Sequence, residues 1–393
     1  MTSKTSTPDP AIPPGTLASR ISSIAGPTSG FDYLRLVLAL GVVVWHSIPF
    51  CYGPEITRAT LAGPAGPIVW FIVPGFFAVS GFLVIQSLER TASIRTFLAF
   101  RFLRIFPALA VVVLVSALVL GALLTSLPLQ EYYSHPDFFS YFANIAFISK
   151  FELPGVFQTT PEAGVNGSLW TIPFEMQAYV ILAALSLVGL LRFRFILPVI
   201  LFAGAVVVGL YSSLDRTGDF ISISVQMAFE GPVKTRRIVL LCFLAGVTLY
   251  IFRKEIPYRL DFAIISAVMS FICLRYPATS GMAPIFIAYL VIWLGLQHPP
   301  RTNFIQSGDY SYGTYLVGAP IQQTVYTLAL GVGWRMHWLE NLIISLPIIL
   351  LLAVGSWRFV EKPALSLKKQ AATLVGREMS LGRNPFRGFL FLR

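Results

Sequence analysis

Five ionisable residues of this chain stand where ionisable residues are costly, and their spacing is chemically suggestive. Arg35 and His46 lie eleven positions apart in one apolar run, LRLVLALGVVVWHS (34–47). Eleven residues at 100° each make roughly 1100°, or three turns plus about 20°. On a helix the two side chains therefore share a face, about 16 Å apart along the axis. Asp32 stands one turn before Arg35. An ionisable residue inside a membrane-grade segment is a functional candidate by default. His46 lies inside a long apolar run, whereas His135, His298 and His337 fall between runs. An imidazole so placed can act as general base on a hydroxyl, or as a nucleophile that forms a transient acyl-imidazole.

Glu175 is embedded in SLWTIPFEMQAY (168–179). Counting from the ends of the apolar runs puts Glu175 about 10 Å and His46 roughly 6 Å below the outer surface. At matching depths, the carboxylate would hold the histidine's tautomer and raise its basicity. Arg101 and Arg104, in FRFLRIFP (100–107), are three apart and share a helical face. Two guanidiniums so placed suit phosphate recognition. Each residue also has a plainer reading. Arg35 can be a snorkelling anchor, His46 an interhelical hydrogen-bond partner and Glu175 the partner of a bundle-ordering arginine. Arg101 and Arg104 can be ordinary positive anchors.

The elements that must position these groups are membrane helices. Of the 393 residues, 55% are hydrophobic and only 12% charged, with mean hydropathy +0.73. A soluble domain carries about 25% charged residues. Ten apolar runs stand out, at 31–50, 67–88, 105–127, 168–191, 195–213, 238–252, 260–275, 284–296, 311–332 and 338–359. With the amino terminus placed in the cytoplasm, more than two thirds of the 29 Lys and Arg fall on the inner side. The expectation is an all-α polytopic helix bundle of about ten transmembrane helices, both termini cytoplasmic. Residues 1–30, rich in Ser, Thr and Pro, read as a disordered cytoplasmic tail. Residues 31–360 form the membrane domain, and 361–393 a basic cytoplasmic tail near anionic lipid. The run 138–149, FFSYFANIAFIS, is too short to span and reads as interfacial or re-entrant.

Several classes are disfavoured. The net charge of +11 sits at the ends of apolar runs, without a basic stripe interleaved with aromatics, so no nucleic-acid partner is expected. Cys51, Cys242 and Cys273 show neither metal-ligand spacing nor a disulfide framework. No metal site is expected, and there is no Gly-rich phosphate loop, HExxH or G-x-S-x-G. Gly75, Ser80 and Gly81 in GFFAVSGFL allow close helix approach or room for a ligand. GDYSYGTYLVGAP (308–320) has the same character.

Taken in order, FDYLRLVLALGVVVWHS (31–47), GFFAVSGFLV (75–84), FRFLRIFPAL (100–109), NGSLWTIPFEMQAY (166–179), SYGTYL (311–316) and WRFVEKP (357–363) resemble the acyltransferase-3 family of bacterial integral-membrane acyltransferases. The resemblance implies transfer of a short acyl group, often acetyl, from a cytoplasmic acyl-CoA to a hydroxyl of an envelope or exported glycan. It implies a multi-pass protein of the bacterial inner membrane, with acyl-CoA and a glycan or glycolipid as partners and polysaccharide-assembly proteins as possible associates. No permanently bound cofactor is implied. Arg35 and His46 match the family's arginine–histidine pair, Arg101 and Arg104 its paired arginines, and Glu175 its acidic position after SLW. The implied catalytic set is His46, Glu175 and Arg35, with Arg101 and Arg104 on the CoA phosphates. One departure stands out. The family often shows YLxHxP, and YLVGAP here puts Gly318 at the histidine position. No segment reads as the extracytoplasmic domain of some relatives, so transfer is expected to finish in the membrane domain or through a partner. The competing class is a transporter or flippase for a lipid-linked sugar. It would also bury such charges, but commonly shows paired halves with matching broken helices, which are not evident here.

Overall fold

The computed structural model describes residues 12–24, 26, 28–91, 93–214 and 233–368. Among these residues the chain is all helical, save one isolated bridge between Thr16 and Pro257. The long helices are α1 (Ser29–Ala62), α2 (Gly66–Arg90), α3 (Ile94–Leu124), α4 (Gly167–Leu187), α5 (Ile196–Leu214), α6 (Val233–Ile251), α7 (Leu260–Arg275), α8 (Pro277–Gly295), α9 (Ser311–Gly331) and α10 (Trp338–Ser366). Each expected apolar run coincides with one of them. Six helices, α1, α2, α3, α4, α8 and α10, are long and apolar enough to cross a membrane, and parts of α5 and α6 form shorter apolar helices. Large apolar side chains such as Phe202, Val207, Ile264 and Leu351 point outward, as a lipid-facing surface requires.

Several boundaries differ from the hydropathy reading. α1 runs well past residue 50 because a kink, not a stop, follows the apolar run. Gly53 takes φ 76° ahead of Pro54, and a side chain there would meet Pro161. α3 begins eleven residues before its apolar run, and Arg101 and Arg104 lie within it, as their shared helical face expects. The largest correction concerns the amino-terminal tail. Residues 17–23 form a helix whose Thr16 and Ser19 make a reciprocal capping box. Leu17 is fully buried, its N–H donates to the Ile256 carbonyl (2.9 Å), and the Ala18 N–H donates to that of Arg253 (2.8 Å). Polar composition masked this order because backbone groups and one leucine supply it. Residues 1–11 and the tail from 369 lie outside the described residues. Residues 362–366 of the expected tail continue α10 as helix.

The run 138–149 forms part of a hairpin of short helices, Leu129–Ser134 and Pro136–Tyr141, and a 3₁₀ turn, Phe142–Ala146. It packs beside a π-helical turn of α3, Ser116–Leu120, where the Tyr132 hydroxyl donates to the Ala117 carbonyl (2.7 Å). The following segment enters the bundle. Leu153–Phe157 and Gly164–Trp170 are buried without forming a long helix. Polar side chains satisfy this irregular backbone: Asn144 Nδ2 donates to the Lys150 carbonyl (2.7 Å), and Gln323 Nε2 to that of Glu162 (2.7 Å). Consequently α4 starts inside the protein.

Glycines set the closest helix pair. A Cβ on Gly81 of α2 would lie 1.9 Å from the Phe243 carbonyl oxygen, and one on Gly246 of α6 would lie 2.1 Å from that of Ala78. The two backbones therefore touch. Gly246→Val should destabilise the protein by about 1–3 kcal/mol or prevent folding, read as loss of the monodisperse peak in detergent. Gly331→Ala, which meets nothing within 4 Å, should leave that peak unchanged. Glu162, 6% exposed, has no partner at Oε2 among the described residues, and burial pushes its carboxyl up to about 8. The folded chain thus holds a proton that an unfolded carboxyl releases near pH 4.5. Stability should be greatest below about pH 4.5 and fall as pH rises to about 8. Glu162→Gln should flatten that slope in melting curves taken across the range.

Candidate active site

The site is organised around Asp309, in the turn just before α9. Its Oδ2 pairs with Arg104 Nη2 of α3 (2.6 Å) and Arg35 Nη2 of α1 (3.2 Å). Its Oδ1 accepts from the Ser311 hydroxyl (2.7 Å). Burial opposes ionisation of Asp309, but Arg35, Arg104 and the Ser311 bonds outweigh it and hold the carboxyl well below the usual carboxylate range. Arg104 Nη1 also binds Glu361 Oε2 (3.1 Å). Glu361 lies in a π-helical turn of α10, Trp357–Glu361, which aims its buried carboxylate inward, where Ser356 donates to it (2.9 Å). Arg35 is further paired with Asp32 (3.0 Å), which also binds Arg301 (3.0 Å). One chain of charge therefore joins α1, α3, α10 and the α8–α9 connection.

Beside this chain lies a cavity of about 140 Å³. Arg35, Arg101, Arg104, Glu175, Tyr179 and Tyr312 supply its charged and phenolic lining, and Phe76, Thr171 and Tyr315 close its other end. Four of the five residues singled out by spacing thus share one space. Glu175, eight residues into α4, sits in the field of Arg104, Arg101 and Arg35. Among the described residues it has no carboxylate–cation contact within 4 Å, and it accepts a short hydrogen bond from Tyr179, one turn on. Among the described residues no hydrogen bond or ion pair joins it to His46.

His46 does not line this cavity. Val43, in the turn below it, packs on Gly318 of α9. Nearby Leu316 accepts from Asn166 (2.8 Å), and Tyr315 at the cavity's end donates to the Ser168 carbonyl (2.8 Å). His46, a further turn (~5 Å) along α1 from Val43, therefore lies beyond that end. Its Nδ1 is 2.9 Å from the Val42 carbonyl, and its ring stacks on Phe50 at 5.5 Å. A carbonyl oxygen only accepts, so Nδ1 carries the hydrogen and Nε2 keeps its lone pair. The half-buried ring is thus held by its own helix and by Phe50, with no carboxylate needed to orient it.

Asp309, Glu361, Tyr179 and Tyr312 were not singled out as site residues from the sequence. Asp309 and Glu361 do sit in the stretches GDYSYG and WRFVEKP. The available signal was an acid within short motifs at helix ends. Asp309→Asn should remove an acceptor charge from two arginines. We expect a loss of about 3–5 kcal/mol near neutral pH, seen as a lower melting temperature. Because the folded carboxyl titrates below its unfolded value, this gap should be present above about pH 4 and close as pH falls below it.

Comparison with known proteins follows the same lines. The family model of the acyltransferase-3 acyltransferase domain matches residues 28–358. An O-acetyl transferase of Shigella phage Sf6 is 27% identical, over 86% of this chain and 96% of its own. Nodulation protein 10 of Rhizobium leguminosarum bv. viciae is 26% identical, over 91% of this chain and 98% of its own. No solved structure matches the chain. With the family model covering most of its length, the chain belongs to the acyltransferase-3 family of membrane acyltransferases.

Proposed function

We propose that this acyltransferase moves a short acyl group, acetyl in the first instance, from a cytoplasmic acyl-CoA to a hydroxyl of a cell-envelope or exported glycan. It would do so in the bacterial inner membrane, with ten spans and both termini cytoplasmic. The observation that carries the reading is a cavity lined by Arg35, Arg101 and Arg104, beside the helix α1 that carries His46 further along. The arginine end suits the phosphates of CoA. The apolar and phenolic wall between Phe76, Ile172 and Tyr315 suits the uncharged pantetheine arm. A relative named O-acetyl transferase supports an acetyl group and an oxygen acceptor.

In this mechanism the acceptor hydroxyl binds on the far side of His46. Nε2 takes the hydroxyl proton as the oxygen attacks the thioester carbonyl. The tetrahedral intermediate collapses, the C–S bond breaks, and the imidazolium returns the proton to the thiolate. An ester and free CoA leave. A ping-pong route through acyl-imidazole uses the same nitrogen as nucleophile. Arg35 stands at the arginine end, and Glu175 lines the passage beyond it. Glu175 offsets part of the arginine charge there instead of orienting His46.

His46→Ala should lower kcat by about 10²–10⁴-fold while elution volume and melting temperature stay unchanged. The assay is purified protein with radiolabelled acetyl-CoA and envelope glycan, scored for label on glycan and release of thiol. Wild-type transfer by that variant would reject the assignment.

A further inference from the structure

The irregular segment between Leu153 and Trp170 carries polar atoms for which the mechanism above has no use. Its depth can be read from the two helices beside it. α1 and α9 run side by side in one direction. Val43 packs on Gly318, Gln322 Nε2 donates to the Ser47 hydroxyl (2.6 Å), and the Tyr326 hydroxyl donates to the Cys51 carbonyl (3.1 Å). Each of these pairs is 275 residues apart, so Ile321 of α9 stands level with His46 of α1.

The segment is pinned on both sides of that level. On the outer side, a Cβ on Gly53 of α1 would lie 3.1 Å from Pro161, and Gln323 Nε2 donates to the Glu162 carbonyl (2.7 Å). On the inner side, Asn166 Nδ2 donates to the Leu316 carbonyl (2.8 Å), and the Tyr315 hydroxyl to that of Ser168 (2.8 Å). The chain from Glu162 to Ser168 therefore crosses the depth of His46. Gly53 is about two helical turns beyond His46, so Pro161 meets the side of α1 that carries the histidine.

Main-chain groups in this segment find partners. The Thr160 hydroxyl donates to the Glu162 carbonyl (2.8 Å), and the Val165 N–H to that of Phe151 (2.6 Å). Three side-chain oxygens do not: Glu162 Oε2, Asn166 Oδ1 and Ser168 Oγ have no hydrogen-bond partner among the described residues. Their residues are 6%, 0% and 2% exposed. Oxygens left unmatched in the interior are costly unless a ligand meets them. Pro161 is exposed and Ala163 partly so, which puts Glu162 directly beneath the surface. Its carboxyl keeps its proton at neutral pH. A protonated carboxyl, a carboxamide and a hydroxyl make a neutral set that both donates and accepts. That set suits a polyol, and neither a cation nor an anion.

We infer that Glu162, Asn166 and Ser168 bind hydroxyl groups of a carbohydrate acceptor and turn one of them toward His46. The inference rests on the acyl-transfer reading above, which brings an acceptor alcohol to His46.

The test uses the full chain in phosphatidylcholine nanodiscs, as wild type, Ser168→Ala, Glu162→Met and Glu162→Gln. Acetyl transfer is followed to envelope glycan and to 1-decanol, which offers a single hydroxyl, and glycan binding is measured by calorimetry. Because Ser168 Oγ and Glu162 Oε2 have no partner among the described residues, Ser168→Ala and Glu162→Met should keep or raise the melting temperature. Both should nonetheless weaken glycan binding and raise its KM by about three- to tenfold, with the acetyl-CoA KM within about twofold and the decanol KM moving less than the glycan KM. Glu162→Gln, which retains a donor and an acceptor, should recover most of the glycan affinity. Wild-type glycan KM in both Ser168→Ala and Glu162→Met would overturn the inference. Glycan and decanol KM rising together would mean that the segment serves the reacting hydroxyl alone, and carbohydrate recognition would fall. A wild type that binds glycan with these differences but transfers acetyl to neither alcohol would sink the acyl-transfer reading and leave the carbohydrate site standing.

Discussion

The rest of the site depends on one partly buried chain of charge, Asp32–Arg35–Asp309–Arg104–Glu361. Taking any of these groups out of water alone would cost several kcal/mol. Together they satisfy one another, and each link joins a different part of the chain. The carboxylates come from the start of α1, the turn before α9 and the π-helical turn of α10. The arginines come from α1 and α3. The network therefore constrains where four segments can meet, and the meeting point is the arginine end of the cavity.

That constraint also divides labour among the arginines. Guanidiniums already bound to two carboxylates serve mainly to hold helices together, whereas Arg101 keeps donors in reserve. Glu175 belongs to the same electrostatic system, lying among arginines with Tyr179 as its hydrogen-bond partner. His46 is held outside it, by the Val42 carbonyl and the Phe50 ring. An imidazole whose Nε2 lone pair is available, about 16 Å along α1 from Arg35, suits a group that accepts a proton from an alcohol. The cavity is thus polar at one end and largely apolar and phenolic along its length, a gradient matched to an acyl-CoA's own.

Two backbone features make this arrangement possible. Irregular chain from Leu153 to Trp170 enters the bundle, its polar groups answered by Asn144, Asn166 and Gln323, and so delivers α4 deep inside. The touching backbones at Gly81 and Gly246 bring α6 against the back of α2, whose opposite face lines the cavity through Phe76, Ser80 and Leu83.

Much was legible in the sequence. Apolar runs located the ten long helices, and helical arithmetic put Arg35 and His46 on one face, because periodicity and rise are properties of the local backbone. The pairing of Arg101 with Arg104 on one face is local in the same sense. The order of motifs carried the family. Tertiary structure alone decided which charges meet. Glu175 meets the field of Arg104, Arg101 and Arg35 only because α3 and α1 pack beside α4. Asp309 and Glu361 reach Arg104 from 205 and 257 residues away, a separation no periodicity encodes. The ordered amino-terminal helix escaped for the same reason, since its partners are backbone carbonyls near residue 256. Residue types and spacing determined what chemistry this chain can carry; long-range packing and the buried pairing of charge decided which residues are free to perform it.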